Sequence, residues 1–294
     1  MKIAVVALTR GYPKDRSLYK SLIERNNSIF ENINKASEVP IDTLLFHEGN
    51  ISLSDQDYIN KHFMGEIKFV NVSKYFTNLT LKLDGKEKFN LGYRQMCRFN
   101  MYHIWDELDE YDYILRVDED IMISKFDPSV FEYMKLNGIN YMTGRFTKET
   151  HRATNRTLPQ YLMEHSDLDV KKLYNHKFPY TNFYATKVGF WKNEDVNKLL
   201  KTIALSNEQI IYRWGDIPVL GIVLNYKNEK IKLFPKLEYE HISHNFKIKN
   251  SFLRNLTINS KFNPISIKGG LIAKLKVKIK GQFKSDNPFD FDKH

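Results

Sequence analysis

Residues 2–8 read KIAVVAL, an apolar run rich in β-branched side chains and without any polar alternation. This pattern is typical of a strand buried on both faces, in a sheet that helices cover on both sides. A helical pattern follows at residues 17–33, and two further strand patterns occupy residues 41–48 and 67–73. Strand, helix and strand at this spacing predict an α/β fold with crossover connections between parallel strands.

The rest of the chain continues the alternation of strands and helices. The predicted helices span residues 93–108, 127–138 and 193–205, and the predicted strands span residues 111–117 and 139–146. Residues 217–226 (IPVLGIVLNY) fit either a buried helix or a buried strand. The polar, basic stretch at 150–177 is interpreted as a mobile loop region or a loop region on the acceptor side. Neither an internal repeat nor a long linker is visible.

The net charge and the cysteine content indicate which cellular compartment and which class of binding partner suit the protein. The 294 residues carry a net charge of +10, which suggests an anionic partner such as nucleic acid, a membrane surface or a phosphorylated small molecule. With Cys97 as the single cysteine, an intrachain disulfide and a cysteine-based zinc site are excluded, and a reducing compartment fits best. No apolar stretch approaches the roughly 18 residues that span a bilayer, so we expect a cytoplasmic protein.

Three adjacent carboxylates, Asp118, Glu119 and Asp120, directly follow the strand pattern YDYILRV. Ligands of open α/β sheets bind at the carboxyl ends of the strands. In a strand-like conformation Asp118 and Asp120 point the same way, so the two can share one divalent cation while Glu119 faces elsewhere. The alternative is an acidic surface turn between two strands.

Arg94 and Arg98 lie four residues apart on one face of a predicted helix. Two guanidinium groups together suit a diphosphate, and the alternative is a pair of surface arginines that contact the acidic residues 106–110. Neither a P-loop nor a GxGxxG motif is present.

Asp216 stands in the segment YRWGDIPV. Its carboxylate either orients a sugar hydroxyl or caps a helix that Pro218 begins. His241 and His244 are three residues apart, a spacing that suits a metal site but also occurs between structural histidines.

Five segments occur in a characteristic order: YRQMCRF (93–99), RVDEDI (116–121), NFYATKVGFW (182–191), YRWGDIPV (212–219) and YEHISH (239–244). Together they resemble the fungal-type α-1,2-mannosyltransferases, glycosyltransferase family 15, from about residue 8 to residue 244. The resemblance implies a GT-A fold, an α/β domain with a single mixed central sheet flanked by helices. We expect this domain over residues 1–265, with a nucleotide-binding part at about 1–125 and an acceptor part at about 126–265.

The resemblance further implies an enzyme that transfers mannose from GDP-mannose to a glycan acceptor, with retention at the anomeric carbon and with Mn²⁺ (or Mg²⁺). Asp118, Asp120 and His241 match the expected metal positions, and Asp216 matches an acidic residue beside the catalytic centre. The expected donor-binding residues are Leu8, Thr9, Arg10, Tyr93, Arg94, Arg98, Arg116 and Asp118. For the sugars we expect Asn182 and an aromatic surface made of Tyr180 and Trp214.

One departure concerns the catalytic centre, because Tyr184 stands where the family carries a glutamate that is the usual candidate for a covalent nucleophile. A tyrosine can serve as a glycosyl nucleophile, but it needs activation. We prefer front-face retention, in which the leaving phosphate deprotonates the acceptor and no protein nucleophile is required.

The single cysteine and the absence of an anchor suggest a cytoplasmic bacterial or viral relative. Its basic C-terminal segment, residues 266–294, is interpreted as a contact to an anionic membrane, an edge strand or a tail. Two other functions stay open: a basic nucleic-acid-binding protein, although no nucleic acid is expected as partner, and a catalytically inactive sugar-binding relative.

Overall fold

The computed structural model describes residues 1–84, 89–166, 168, 170, 173–244 and 246–249. Its strands are β1 (Ile3–Thr9), β2 (Ile41–His47), β3 (Ile67–Asn71), β4 (Tyr113–Val117), β5 (Ile121–Lys125), β6 (Tyr141–Thr143), β7 (Phe146–Thr147), β8 (Phe178–Pro179), β9 (Phe183–Lys187), β10 (Ile231–Leu233), β11 (Glu238–His241) and β12 (Phe246–Lys249). The basic segment at 266–294 lies outside the described residues, so its contact to a membrane stays a prediction.

Seven of these strands form one central sheet in the order β10-β6-β9-β4-β1-β2-β3. β1 runs parallel to β2 and β4, and β2 runs parallel to β3, whereas β9 is antiparallel to both β4 and β6. The sheet is therefore mixed, and the predicted α/β architecture is confirmed. The carboxyl ends of β1, β2, β3, β4 and β6 all meet at one edge.

The helices are α1 (Lys20–Ile29), α2 (Leu53–Lys61), α3 (Leu91–Met101), α4 (Val130–Leu136), α5 (Arg152–His165), α6 (Val188–Trp191), α7 (Glu194–Ala204), α8 (Asn207–Ile211) and α9 (Asp216–Tyr226). The expectation of a loop at 150–177 is wrong in part, because α5 occupies residues 152–165. Its Leu158 and Leu162 are buried four residues apart, which gives the polar segment an apolar face. The ambiguous run at 217–226 belongs to α9, which is buried on almost every side.

Two hydrophobic cores cover the two faces of the central sheet. Ala4 and Val6 of β1 belong to one core, and Ile3 and Val5 belong to the other. This explains why residues 2–8 show no polar alternation, since both faces of the strand are dry. Complete burial of a valine or isoleucine side chain contributes about 1.5–3 kcal/mol.

A three-stranded sheet in the order β12-β11-β5 lies beside the central sheet. Its antiparallel pairing sets His241 of β11 opposite Ile121 of β5. A histidine far along the chain is thereby placed beside the first residue after the acidic triplet. Within the part of the chain that the structure describes, no helix has the length and apolar character that a membrane span requires.

Candidate active site

The acidic triplet forms a tight turn between β4 and β5, and the expected strand-like conformation is wrong. The amide of Ile121 donates a hydrogen bond of 3.3 Å to the carbonyl of Asp118, which closes the turn. The three carboxylates consequently leave the turn in different directions. Each of them meets a partner of its own, so their mutual repulsion is offset locally.

Asp118 and Asp216 share one arginine. Arg116 donates from Nη2 to Asp118 Oδ1 at 3.0 Å and from Nη1 to Asp216 Oδ2 at 2.7 Å. The second oxygen of Asp216 accepts a 3.1 Å bond from the amide of Ile217, at the start of α9. The expected capping role is wrong, because Gly215 is the N-cap of α9 and Asp216 is its first residue. Asp216 instead reaches the end of β4 through Arg116, and its contact to a sugar stays a prediction.

Glu119 faces the end of β1. Its Oε2 accepts bonds from Thr9 Oγ1 at 2.9 Å and from the Arg10 amide at 3.2 Å, and its Oε1 accepts a 3.2 Å bond from Arg10 Nε. Thr9 and Arg10 are therefore brought next to the acidic turn, while Leu8 is half-buried and packs against the hydrophobic core.

Asp120 pairs with the end of β11. Its Oδ2 lies 3.0 Å from His241 Nε2 and also accepts a hydrogen bond from Ser243 Oγ. The backbone carbonyl of Asp120 accepts a 3.0 Å bond from the amide of Ile242. Asp120 and His241, predicted together from the sequence, are thus in direct contact.

Sequence reasoning missed Arg25, whose guanidinium lies under the turn with 0 % of the residue exposed. Its Nη2 donates to the carbonyl of Val117, its Nε donates to the carbonyl of Asp118 at 3.3 Å, and its Nη1 donates to Asn26 Oδ1. A signal was present, because Arg25 and Asn26 stand between Leu22 and Ile29 on the apolar face of α1. A polar pair at such positions must find buried partners.

The turn changes the acidity of its carboxyl groups. Burial raises the pKa of Asp118 to about 6, and the charge of Arg116 offsets that rise only in part. Burial also raises the pKa of Asp120, but the hydrogen bonds from His241 and Ser243 outweigh it and bring the pKa below its usual value. Asp120 is therefore the more readily ionised of the two aspartates.

Asp120 and His241 suit a divalent cation by their chemistry and spacing. Asp120 Oδ2 and His241 Nε2 are hydrogen-bonded at 3.0 Å, and a carboxylate oxygen and an imidazole nitrogen this close together would be able to hold one cation. Among the described residues, however, no three histidine, cysteine or acidic side chains form a metal-binding group. Asp118 faces Arg116 instead, so the expected set of three protein ligands does not assemble, and water or a substrate phosphate would have to complete the coordination.

The expectation that Arg94 and Arg98 hold a phosphate requires correction. Arg94 is 1 % exposed, and its nitrogens donate to four backbone carbonyls, those of Asp84, Phe89, Ile210 and Ile211. Arg98 donates to Gln209 Oε1 at 3.0 Å and to the carbonyl of Ser206 at 2.8 Å. Both arginines fasten α3 to the segment before Asp216, and neither is one of the surface arginines that the alternative proposed.

The expectation that Trp214 forms part of an aromatic surface for sugars is also wrong. It is 0 % exposed, and its indole N–H donates a 2.8 Å bond to Thr157 Oγ1, so it belongs to the core and offers no surface to a sugar. Tyr93, by contrast, lies on the exposed side of α3 with its ring 4.9 Å from that of Phe89.

Tyr184 lies in the core of the sheet with 0 % exposure and stacks on Tyr141 at a ring separation of 5.0 Å. Burial raises the pKa of its hydroxyl to about 12, and the charge of Arg116 lowers it only in part. A buried, protonated phenol is poorly suited to attack a sugar. These contacts argue against Tyr184 as a covalent nucleophile and favour the preferred course without one.

Tyr180 and Asn182 border the acidic turn on the side of β9. The Tyr180 ring is 6.3 Å from the His241 ring, and the carbonyl of Asn182 accepts a 3.0 Å bond from the Asp118 amide. The side-chain nitrogen of Asn182 is buried and has no hydrogen-bond partner among the described residues, although its oxygen accepts a bond from Tyr239. Both residues are near enough to the turn to contribute to one site.

No family model matches the chain. In a comparison with curated proteins, 183 residues (54 % of the chain) are 26 % identical to the probable mannosyltransferase KTR3 of Saccharomyces cerevisiae. The match spans 45 % of KTR3, less than half of that protein's length.

Solved structures share the fold over most of the chain. Core-mannan synthase A (CmsA/Ktr4) of Aspergillus fumigatus, in its Mn/GDP form, superposes with a TM-score of 0.69 and 16 % identity, over 94 % of this chain and 82 % of that one. The mannosyltransferase Ktr4p of S. cerevisiae in complex with GDP gives a TM-score of 0.67 and 16 % identity, over 90 % and 78 %. These findings agree with the resemblance: over 54 % of its length the chain is similar in sequence to a probable mannosyltransferase, and it shares the fold of solved mannosyltransferases, the GT-A glycosyltransferase fold.

Proposed function

We propose that this chain is a metal-dependent glycosyltransferase that moves mannose from GDP-mannose to a glycan acceptor with retention. The observation that carries the proposal is the Asp120–His241 pair, 3.0 Å apart at the carboxyl edge of the sheet. Its support is the similarity to a probable mannosyltransferase and to a core-mannan synthase in Mn/GDP form.

In this proposal Asp120 and His241 hold Mn²⁺ (or Mg²⁺). A divalent cation supplies positive charge that neutralises the departing nucleotide diphosphate. Thr9 and Arg10, at the end of β1, line the nucleotide side, where Glu119 holds them in place.

Arg116 has a structural part in this site, because both arms of its guanidinium already bind carboxylates. It fixes Asp118 and Asp216 relative to each other before substrate arrives. A carboxylate held in this way stabilises the positive charge that develops on the sugar ring in the transition state, without further reorganisation. We therefore assign Asp216 to the sugar side of the site.

For the course of the reaction we propose front-face retention without a protein nucleophile. The bond between the anomeric carbon and the phosphate oxygen breaks while the acceptor oxygen bonds to the same face of the sugar. The departing phosphate oxygen takes the proton of the acceptor hydroxyl. The burial of Tyr184 and the high pKa of its hydroxyl support this course over a covalent intermediate. We also assign Tyr180 and Asn182, which border the acidic turn, to the sugar side of the site.

The proposal is tested by thermal stability and calorimetry with GDP, UDP, GDP-mannose and other nucleotide sugars, each with Mn²⁺, Mg²⁺ or EDTA. A ligand at 100 times its dissociation constant stabilises the native state by about 2.7 kcal/mol. We expect stabilisation by GDP and GDP-mannose with Mn²⁺, loss of that effect in EDTA, and slow hydrolysis of GDP-mannose. If no nucleoside diphosphate stabilises the protein with either ion, the proposal is wrong. Binding without hydrolysis or transfer would favour the inactive sugar-binding relative.

A further inference from the structure

Arginines at the acidic turn and on α3 contact other groups of the protein. Arg116 binds two carboxylates, Arg94 and Arg98 bind neutral acceptors of the scaffold, and Arg10 reaches Glu119. A departing diphosphate is nevertheless a strong anion, and proteins usually meet such groups with arginine. An arginine close to the Asp120–His241 pair is therefore a candidate for this role.

Arg145 follows β6 at the carboxyl edge of the sheet, and its backbone is held on several sides. Thr143 Oγ1 contacts the carbonyls of Arg145 and Tyr180, both at 3.0 Å, and the Tyr180 amide donates a 2.9 Å bond to the Arg145 carbonyl. At the preceding Gly144, a Cβ atom would come within 2.9 Å of the Tyr239 ring. The strand end thus needs glycine there, and the tight packing fixes where the Arg145 side chain starts.

One aromatic ring, that of Tyr180, separates the Arg145 side chain from the Asp120–His241 pair. Its guanidinium carbon lies 5.1 Å from the centre of the Tyr180 ring. The same ring is 6.3 Å from the ring of His241, which touches Asp120. These contacts connect Arg145, Tyr180, His241 and Asp120 in sequence along the carboxyl edge of the sheet.

Electrostatics agree with this placement. Burial raises the pKa of the Tyr180 hydroxyl, the charge of Asp118 raises it further, and the charge of Arg145 lowers it. One hydroxyl therefore lies within electrostatic range of both the acidic turn and Arg145. A diphosphate bound to a cation at Asp120 and His241 would lie in the electrostatic field of both the acidic turn and Arg145.

We propose that Arg145 contacts the diphosphate of the bound nucleotide sugar and carries part of its negative charge as it leaves. The proposal rests on the donor site of the proposed function and adds a residue to it. Stacking on Tyr180 orients the planar guanidinium while its N–H groups face the anion. The competing explanation is that Arg145 only supports Tyr180.

The experiment compares Arg145→Ala and Arg145→Lys with Lys148→Ala, which removes an exposed positive charge three residues further along. Calorimetry in the presence of Mn²⁺ measures the affinities for GDP, GMP and inorganic pyrophosphate. Loss of a charge-assisted bond to phosphate is expected to weaken GDP and pyrophosphate by about 10- to 100-fold in Arg145→Ala. GMP should change by less than about 3-fold, because it lacks the second phosphate. Arg145→Lys should recover part of the affinity, since it keeps the charge but not the planar fork.

Two results would overturn the assignment. If Arg145→Ala binds GDP and pyrophosphate with the affinity of the wild type, the residue does not touch the diphosphate. If the variant loses affinity for GMP and GDP equally, Arg145 only supports Tyr180. Pyrophosphate makes the failures distinguishable, because it has no base. If pyrophosphate binds in an Arg145-dependent manner but GDP does not bind, the proposed donor is wrong, while the assignment of Arg145 to the diphosphate remains valid. If the wild type binds none of the three ligands, both proposals fail.

Discussion

The acidic turn at 118–120 and the motif helix α3 carry equally clear sequence signals, yet the structure uses their charges in opposite ways. In the turn, each carboxylate meets a cationic or hydrogen-bonding partner and stays at the open edge of the sheet. In α3, Arg94 and Arg98 turn inward and bind neutral oxygens of the segment before Asp216. A charged residue in a recognisable motif can therefore serve the scaffold as readily as the ligand.

The difference follows from what surrounds each charge. A guanidinium has five donors in a fixed fork, so several backbone carbonyls that would otherwise be unpaired can all be satisfied by one arginine. A carboxylate accepts only, and three of them in sequence need separate partners or a metal ion. The two regions thus lead to contrasting expectations for mutation: loss of stability in α3, and loss of function in the turn.

The largest expected effect is on stability, in Arg94→Met. Methionine removes the hydrogen bonds that Arg94 donates to the carbonyls of Asp84, Phe89, Ile210 and Ile211, so we expect the free energy of unfolding to fall by about 3–5 kcal/mol. Urea denaturation measures this, with Arg156→Met on the exposed side of α5 as a control within about 0.5 kcal/mol of the wild type. A stable Arg94→Met variant that has lost GDP binding would erase the contrast between the two regions.

A smaller free-energy change, confined to function, is expected in Asp120→Asn. Asparagine keeps the shape but removes the charge that faces His241, so Mn²⁺ affinity in the presence of GDP should fall about 100-fold, equivalent to about 2.7 kcal/mol. Paramagnetic resonance of free Mn²⁺ measures the affinity, and the free energy of unfolding should stay within about 1 kcal/mol. Asp57→Asn, at an exposed position of α2, is the matched control. Unchanged Mn²⁺ affinity would remove Asp120 from the metal site.

The smallest expected effect is on the reactivity of the Cys97 thiol, which lies in α3 together with Arg94 and Arg98. Burial, followed by the charge of Asp216, raises the pKa of its thiol to about 12. Because the folded-state pKa lies above that of an unfolded thiol, near 8.5, the native thiol stays protonated at pH 8 while the unfolded thiol is partly ionised. Iodoacetamide should therefore leave the native protein essentially unlabelled at pH 8 and modify it in urea. Arg94→Met should accelerate the native reaction, and fast labelling of the wild type would show that α3 is not the rigid support inferred here.

The local pattern of the chain was sufficient for much of the fold. The uninterrupted apolar run of β1 predicted a strand buried on both faces, and the ordered motifs predicted the GT-A architecture. The position of the triplet after β4 predicted a polar site at the carboxyl edge, because strand direction and burial are local properties that periodicity records. The pairing of Asp120 with His241 came from the resemblance of the motifs, not from their spacing.

Which oxygen or nitrogen each charge would meet was decided only by the tertiary structure. Arg25 lies under the turn, Arg116 links Asp118 to Asp216, and Trp214 and Tyr184 are sealed in the core. These outcomes depend on contacts between residues that are far apart in the sequence, such as Arg116 and Asp216, which are 100 positions apart. Periodicity along the chain carries no record of such pairs, because the free energy of a buried charge is set by its neighbours in space.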